Sequence, residues 1–156
     1  MTRLTTTVIA AGFAAFVSIA LPQGTWASGS DATTDTSSSG NAYNTALEKI
    51  KDGKYNAAIP LLQQASADDP TNADALNELG FSLRKVGRLP ESLEAYQKAL
   101  SLKPDHIDAN EYLGELYLEM KRPDLAQKQL DILTKLCPSG CDQRSDLQEQ
   151  LAAFKS

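Results

Sequence analysis

Cys137, Cys141 and the lone His106 are the side chains of this sequence best suited to nucleophilic, redox or metal chemistry. The two cysteines bracket Pro-Ser-Gly, and in oxidising surroundings so close a pair closes into a disulfide. Closing so short a loop contributes only about 2 kcal/mol by chain entropy, so such a link chiefly fixes the angle between the flanking segments. His106 stands beside Asp105, 31 residues before Cys137, where it can prepare the start of a following helix. A Cys-His nucleophile would need hydrogen-bond reach and an oxyanion site, and no strand-turn-helix pattern supplies one. The expectation is therefore a non-enzymatic chain with no cofactor and no resident metal.

The elements that must position these residues are bounded by composition. The chain has 156 residues, 42% of them hydrophobic, with 15 basic and 20 acidic side chains for a formal charge of −5. That length allows one modest domain, and the sign of the charge argues against nucleic acid as a partner. Arg3, an apolar run from Val8 to Leu21, and Thr25-Trp26-Ala27 read as a secretory signal peptide over residues 1–27, cut after Ala27. The 14-residue apolar run covers roughly 21 Å as a helix, short of a bilayer core of about 30 Å. The mature product would be exported, periplasmic and not inserted in the membrane, with 14 basic and 20 acidic groups. Residues 28–40, SGSDATTDTSSSG, carry one apolar side chain and read as a disordered leader.

Beyond residue 40 the chain has a period. Pro70, Pro104 and Pro138 lie 34 residues apart, as do Gly53 and Gly87, and Gly80 and Gly114. The columns Ala58/Ser92/Ala126, Leu62/Tyr96/Leu130 and Ala65/Ala99/Leu133 keep the same step. Within one period, Leu76, Leu79, Gly80 and Leu83 make one helical stripe, and Leu93, Tyr96, Ala99 and Leu100 make a second after Gly87-Arg88-Leu89-Pro90. Each unit is thus a helical hairpin, closed by Asp69-Pro70, Lys103-Pro104 or Cys137-Pro138.

These residues resemble the tetratricopeptide repeat family. Residues 73–106 match its motif best, with Leu76, Leu79-Gly80, Leu83, Ser92, Tyr96, Ala99 and Pro104. Residues 107–138 keep Leu113-Gly114, Tyr117, Ala126 and Pro138 but depart at Asn110 and Lys121. Residues 39–72 are weakest in their first helix and firm from Gly53-Lys54-Tyr55 onward. The resemblance implies an all-α superhelix of three repeats within 41–138, then a cysteine loop and capping helix in 139–156. Leu147, Leu151 and Phe154 form the stripe of that cap, over 142–155. Seven helices and no sheet are predicted.

By the same resemblance, the first helix of each repeat lines a concave groove. Its groove-facing positions include Tyr43, Asn44, Leu47 and Lys51, then Asp74, Asn77, Glu78, Phe81 and Lys85, then Asp108, Glu111, Tyr112, Glu115 and Glu119. Some family members hold a peptide's terminal carboxylate there with basic and amide side chains. In this chain the corresponding places carry Asp108, Glu78 and Tyr112, which would repel it. The implied partner is a protein or peptide segment with basic residues and apolar anchors, recognised by a scaffold of the bacterial cell envelope. An alternative takes Cys137 and Cys141 as a thiol or copper accessory site, similar to the paired thiols of some redox maturation proteins.

Overall fold

The structure, a computed structural model, describes residues 36–155. The expected signal segment and residues 28–35 of the leader lie outside the described residues. Seven helices follow in order: α1 Thr36–Lys51, α2 Tyr55–Asp68, α3 Ala73–Lys85, α4 Leu89–Leu102, α5 Ile107–Glu119, α6 Pro123–Leu136 and α7 Asp142–Lys155. No strand occurs among the described residues. α1 begins at Thr36, inside the stretch read as leader, so residues 36–40 prolong a helix instead of preceding it as coil. Once Ala42 and Ala46 are packed, adding a polar turn requires propagation without a new nucleus.

The 34-residue period is a packing period. All nine members of the three columns of paired second helices, from Ala58 to Leu133, are buried. α1 packs on α2, α3 on α4 and α5 on α6, and each hairpin stacks on the next through α2 against α3 and α4 against α5. Gly80 shows why this column needs glycine: a Cβ there would lie 2.7 Å from the Tyr96 ring. The Ser92 hydroxyl donates to the Gly80 carbonyl at 2.7 Å and ties the same crossing. Hairpin turns pass through positive φ at Gly53 (72°), Gly87 (78°) and Lys121 (60°), the last without glycine's freedom.

Helix starts explain two sequence oddities. Asn72 caps α3, its side chain accepting from the Ala75 amide at 2.8 Å, and His106 caps α5 through Nδ1, accepting from the Ala109 amide at 3.3 Å. Asn110, where a large apolar residue would be usual, is buried and donates through Nδ2 to the carbonyls of Pro104 and His106. It fastens the preceding loop in place of filling a hole. α7 continues the period: Leu147 and Leu151 stand 34 residues after Leu113 and Tyr117, which follow Leu79 and Leu83 by the same step. The last helix thus takes the place of a fourth repeat's first helix, packed on α5 and α6, with its Leu147 side chain pressed on Gly114.

Two main cores result. One joins α1 to α4 around Ala46, Ala58, Ile59, Leu62, Leu79, Leu83 and Ala95. The other joins α4 to α7 with larger side chains, including Tyr96, Leu113, Leu116, Tyr117, Leu130, Leu133, Leu147 and Leu151.

Candidate functional site

The first helices lie side by side, α1 on α3, α3 on α5 and α5 on α7, and present one continuous face. On it, polar side chains join neighbouring helices at a spacing of 35 residues. Arg84 donates to Glu119 at 2.8 Å, Gln143 to Asp108 at 2.9 Å, and Gln150 to Glu115. The spacing follows from the period, since one residue beyond a full repeat faces the next helix across the seam.

Arg84, absent from the groove residues read in the sequence, is the hub of this face. Its residue is 8% exposed, and it pairs with both Glu115 and Glu119. Its guanidinium carbon lies 5.8 Å from the Phe81 ring centre and 5.7 Å from that of Tyr112. Burial works against its charge, but Tyr96, Glu115 and Glu119 more than offset that and raise its pKa. The signal that could have found it is the 35-residue offset to Glu119.

The predicted groove residues divide into three kinds. Asn44, Leu47, Lys51, Asp74, Lys85 and Glu119 are exposed. Tyr43, Glu78, Phe81, Asp108, Tyr112 and Glu115 are half-buried. Asn77 and Glu111, expected on an open surface, are buried at 1% and 7% exposure. Glu111 is covered because α7 lies beside α5 and brings Asp146 toward it. Burial, then Glu115, Asp146 and Asp108, push the Glu111 carboxyl up to about 7, against the opposing pull of Arg84. The aromatics are not three separate anchors. Phe81 and Tyr112 pack together at 5.3 Å, with Tyr55 against Phe81 at 5.8 Å, whereas Tyr43 packs by Ala42, Ala65 and Ala75. Burial pushes the Tyr43 and Tyr112 phenols up to about 12, with the neighbouring carboxylates adding to it.

At the start of α3, Asp74 Oδ1 lies 3.0 Å from His106 Nε2, so the histidine that caps α5 also reaches back to the previous repeat. Cys137 and Cys141 sit at disulfide distance, their Cα atoms 5.8 Å apart, at the junction of α6 and α7. Arg144 donates to the Cys137 carbonyl at 3.0 Å and braces the same corner. His106 is not near this pair in the fold's order, being bound into the α3–α5 seam. Among the described residues no three His, Cys, Asp or Glu side chains are placed to hold a metal ion, and no helix is long and apolar enough to cross a membrane.

Family models described as tetratricopeptide repeat match residues 43–107 and 83–138. The chain belongs to the tetratricopeptide repeat family. This tetratricopeptide repeat chain is 30% identical over 94 residues to General transcription factor 3C polypeptide 3 of Homo sapiens, covering 59% of the chain and 11% of that protein. It is 40% identical over 57 residues to the Probable UDP-N-acetylglucosamine–peptide N-acetylglucosaminyltransferase SPINDLY of Hordeum vulgare, covering 36% of the chain and 6% of the relative. The chain therefore spans a small fraction of the length of the curated relatives it matches. Among solved structures it is similar to the first TPR of Spaghetti (RPAP3) bound to the HSP90 peptide SRMEEVD. The TM-score there is 0.70 at 17% identity, covering 78% of this chain and 97% of the other. It is also similar to the Yersinia enterocolitica type III secretion chaperone SycD in complex with a peptide of the translocator YopD. That match has a TM-score of 0.68 at 18% identity, covering 74% and 91%. Both likenesses establish the fold of the repeat array.

Proposed function

We propose that this chain is a non-enzymatic scaffold of the bacterial cell envelope, exported by its N-terminal segment, that holds a partner protein or peptide against the face formed by α1, α3 and α5. The single observation that carries this reading is the face itself: half-buried Tyr43, Phe81 and Tyr112 lie among Asp74, Glu78, Asp108 and Glu119, on adjacent rigid helices. Aromatic side chains beside charged ones are the composition that interface centres favour. Two tetratricopeptide arrays of similar fold are described with peptides bound, which supports peptide capture as the activity.

The acidic face selects the partner's charge. The peptide on the RPAP3 repeats carries the acidic run EEVD, which Asp74, Glu78 and Asp108 would repel; a segment with basic residues and apolar anchors complements them. Glu115 and Glu111 are poor selectors, since one is paired to Arg84 and the other is covered by α7. The exposed Asp74 and Glu119, with Glu78, are the ones to reverse. Charge reversal of these three to lysine should abolish capture of the cognate partner crosslinked in the intact envelope, with helicity unchanged by circular dichroism. Undiminished capture would overturn the reading. Export is tested by the mass of the mature chain, which should begin at Ser28.

The disulfide distance between Cys137 and Cys141 favours a structural link over a thiol or copper accessory role. Alkylation of freshly isolated protein without reductant should add no mass. Two added groups would restore the accessory reading.

A further inference from the structure

Asn77 is 1% exposed, donates through Nδ2 to Glu78 Oε1 at 3.3 Å, and buries its Oδ1 without a partner. An amide oxygen in that position needs a donor. The strong charges around it are negative: Asp74 on the same helix and Asp108 across the seam both act on Glu78, whose carboxyl is pushed up by burial first and by these neighbours after. Each carboxylate has one oxygen engaged: Asp74 Oδ1 near His106 Nε2, Glu78 Oε1 with Asn77, and Asp108 Oδ1 with Gln143 at 2.9 Å. The second oxygen of each has no bond to a described residue. Arg84, the cation on this face, is further along α3 and is committed to Glu115 and Glu119.

We propose that Asp74, Asn77, Glu78 and Asp108 form a receptor for a primary ammonium group, carried by a lysine side chain or by the first residue of a peptide. This assignment rests on the groove-binding reading for its occupant. The chemistry favours ammonium over the other cations. A divalent ion needs oxygens at about 2.1–2.4 Å, and among the described residues no three carboxylates are placed to share one. An ammonium reaches acceptors at roughly 2.8 Å with three separately directed donors. A guanidinium prefers both oxygens of one carboxylate, and here one oxygen of each is already taken. Tyr43 and Tyr112, which both feel the charge of Glu78, supply aromatic walls for the aliphatic stem.

The test titrates the isotope-labelled full-length chain with n-butylammonium chloride and follows the Asn77 side-chain amide by NMR. A saturable shift is expected, absent with sodium chloride at equal ionic strength and with neutral N-butylacetamide. It should weaken at least tenfold in the isosteric Glu78→Gln, Asp108→Asn double variant. Asp74→Asn, on an exposed side chain, serves as a second variant and should weaken it to a lesser degree. Equal shifts with sodium chloride, an unchanged double variant, or tighter saturation by magnesium chloride would each overturn the proposal. Two decapeptides identify the source, one with a single lysine and an acetylated N-terminus, the other lysine-free with a free N-terminus. The peptide that displaces n-butylammonium names it. If both bind the face and neither displaces the probe, the ammonium site falls while groove binding stands. If the probe saturates and no peptide binds, groove binding falls while the ammonium site stands.

Discussion

At the scale of single residues, Glu111 and Lys121 each sit where their chemistry is unfavourable. Glu111 faces Asp108 and Glu115 from its own helix, Asp146 from α7 and Arg84 from α3, and its carboxyl rises to about 7. A carboxyl raised in the folded chain binds more protons than in the unfolded chain between its ordinary value near 4.5 and about 7. Its contribution to stability therefore falls as pH rises through that window. Glu111→Gln removes the charge, so the variant should gain about 1–2 kcal/mol over the wild type at pH 8 and little at pH 5. Urea unfolding at the two pH values reads the difference; equal gains at both would refute the assignment. Lys121 holds φ at 60° where Gly53 and Gly87 hold similar angles. Its ammonium lies 5.5 Å from the Phe154 ring, a contact that glycine would forfeit. Relief of the left-handed backbone exceeds that loss, and Lys121→Gly should stabilise the chain by about 0.5 kcal/mol, seen as a higher urea midpoint at constant slope. The sequence displayed Lys121 as a departure from the glycine column, but the burial of Glu111 could not be read from it, because it depends on where α7 lies.

At the scale of elements, the helices and their pairing were legible because every repeat solves the same packing problem with the same side chains. Ala58, Ser92 and Ala126 are small in sequence because second helices cross first helices there, and all three are buried. The beginning of α1 was less legible: Thr36 to Gly40 lacks an apolar stripe, and the helix extends through it without one. The groove was legible in outline, yet Arg84 was missed because its role is set by partners one helix away. α7 illustrates how a single contact places an element. A Cβ on Gly114 would drive into Leu147, where the last helix meets α5. Gly114→Ala should therefore cost about 1–3 kcal/mol, with the loss concentrated in α7. Amide exchange in Asp142–Lys155 should accelerate well beyond that of α3, whereas uniform acceleration would show that the cap is not a separately seated element.

At the scale of the whole array, stability is a sum of repeats and their interfaces, so it need not be even along the chain. The core joining α1 to α4 is built largely from alanine and leucine, while that joining α4 to α7 adds two tyrosines and more leucines. Larger side chains bury more apolar surface per contact. Native-state hydrogen exchange should find α1 and α2 opening at lower free energy than α5 and α6, and the reverse order would contradict this account. The cross-seam bonds are distributed in the same direction. Arg84 fastens α3 to α5, and Gln143 and Gln150 fasten α5 to α7. No side-chain hydrogen bond or ion pair between α1 and α3 is found among the described residues. Mechanically, the array is a beam clamped toward its C-terminal end, whose softest bending mode swings the first hairpin and alters the width of the cleft beside Tyr43.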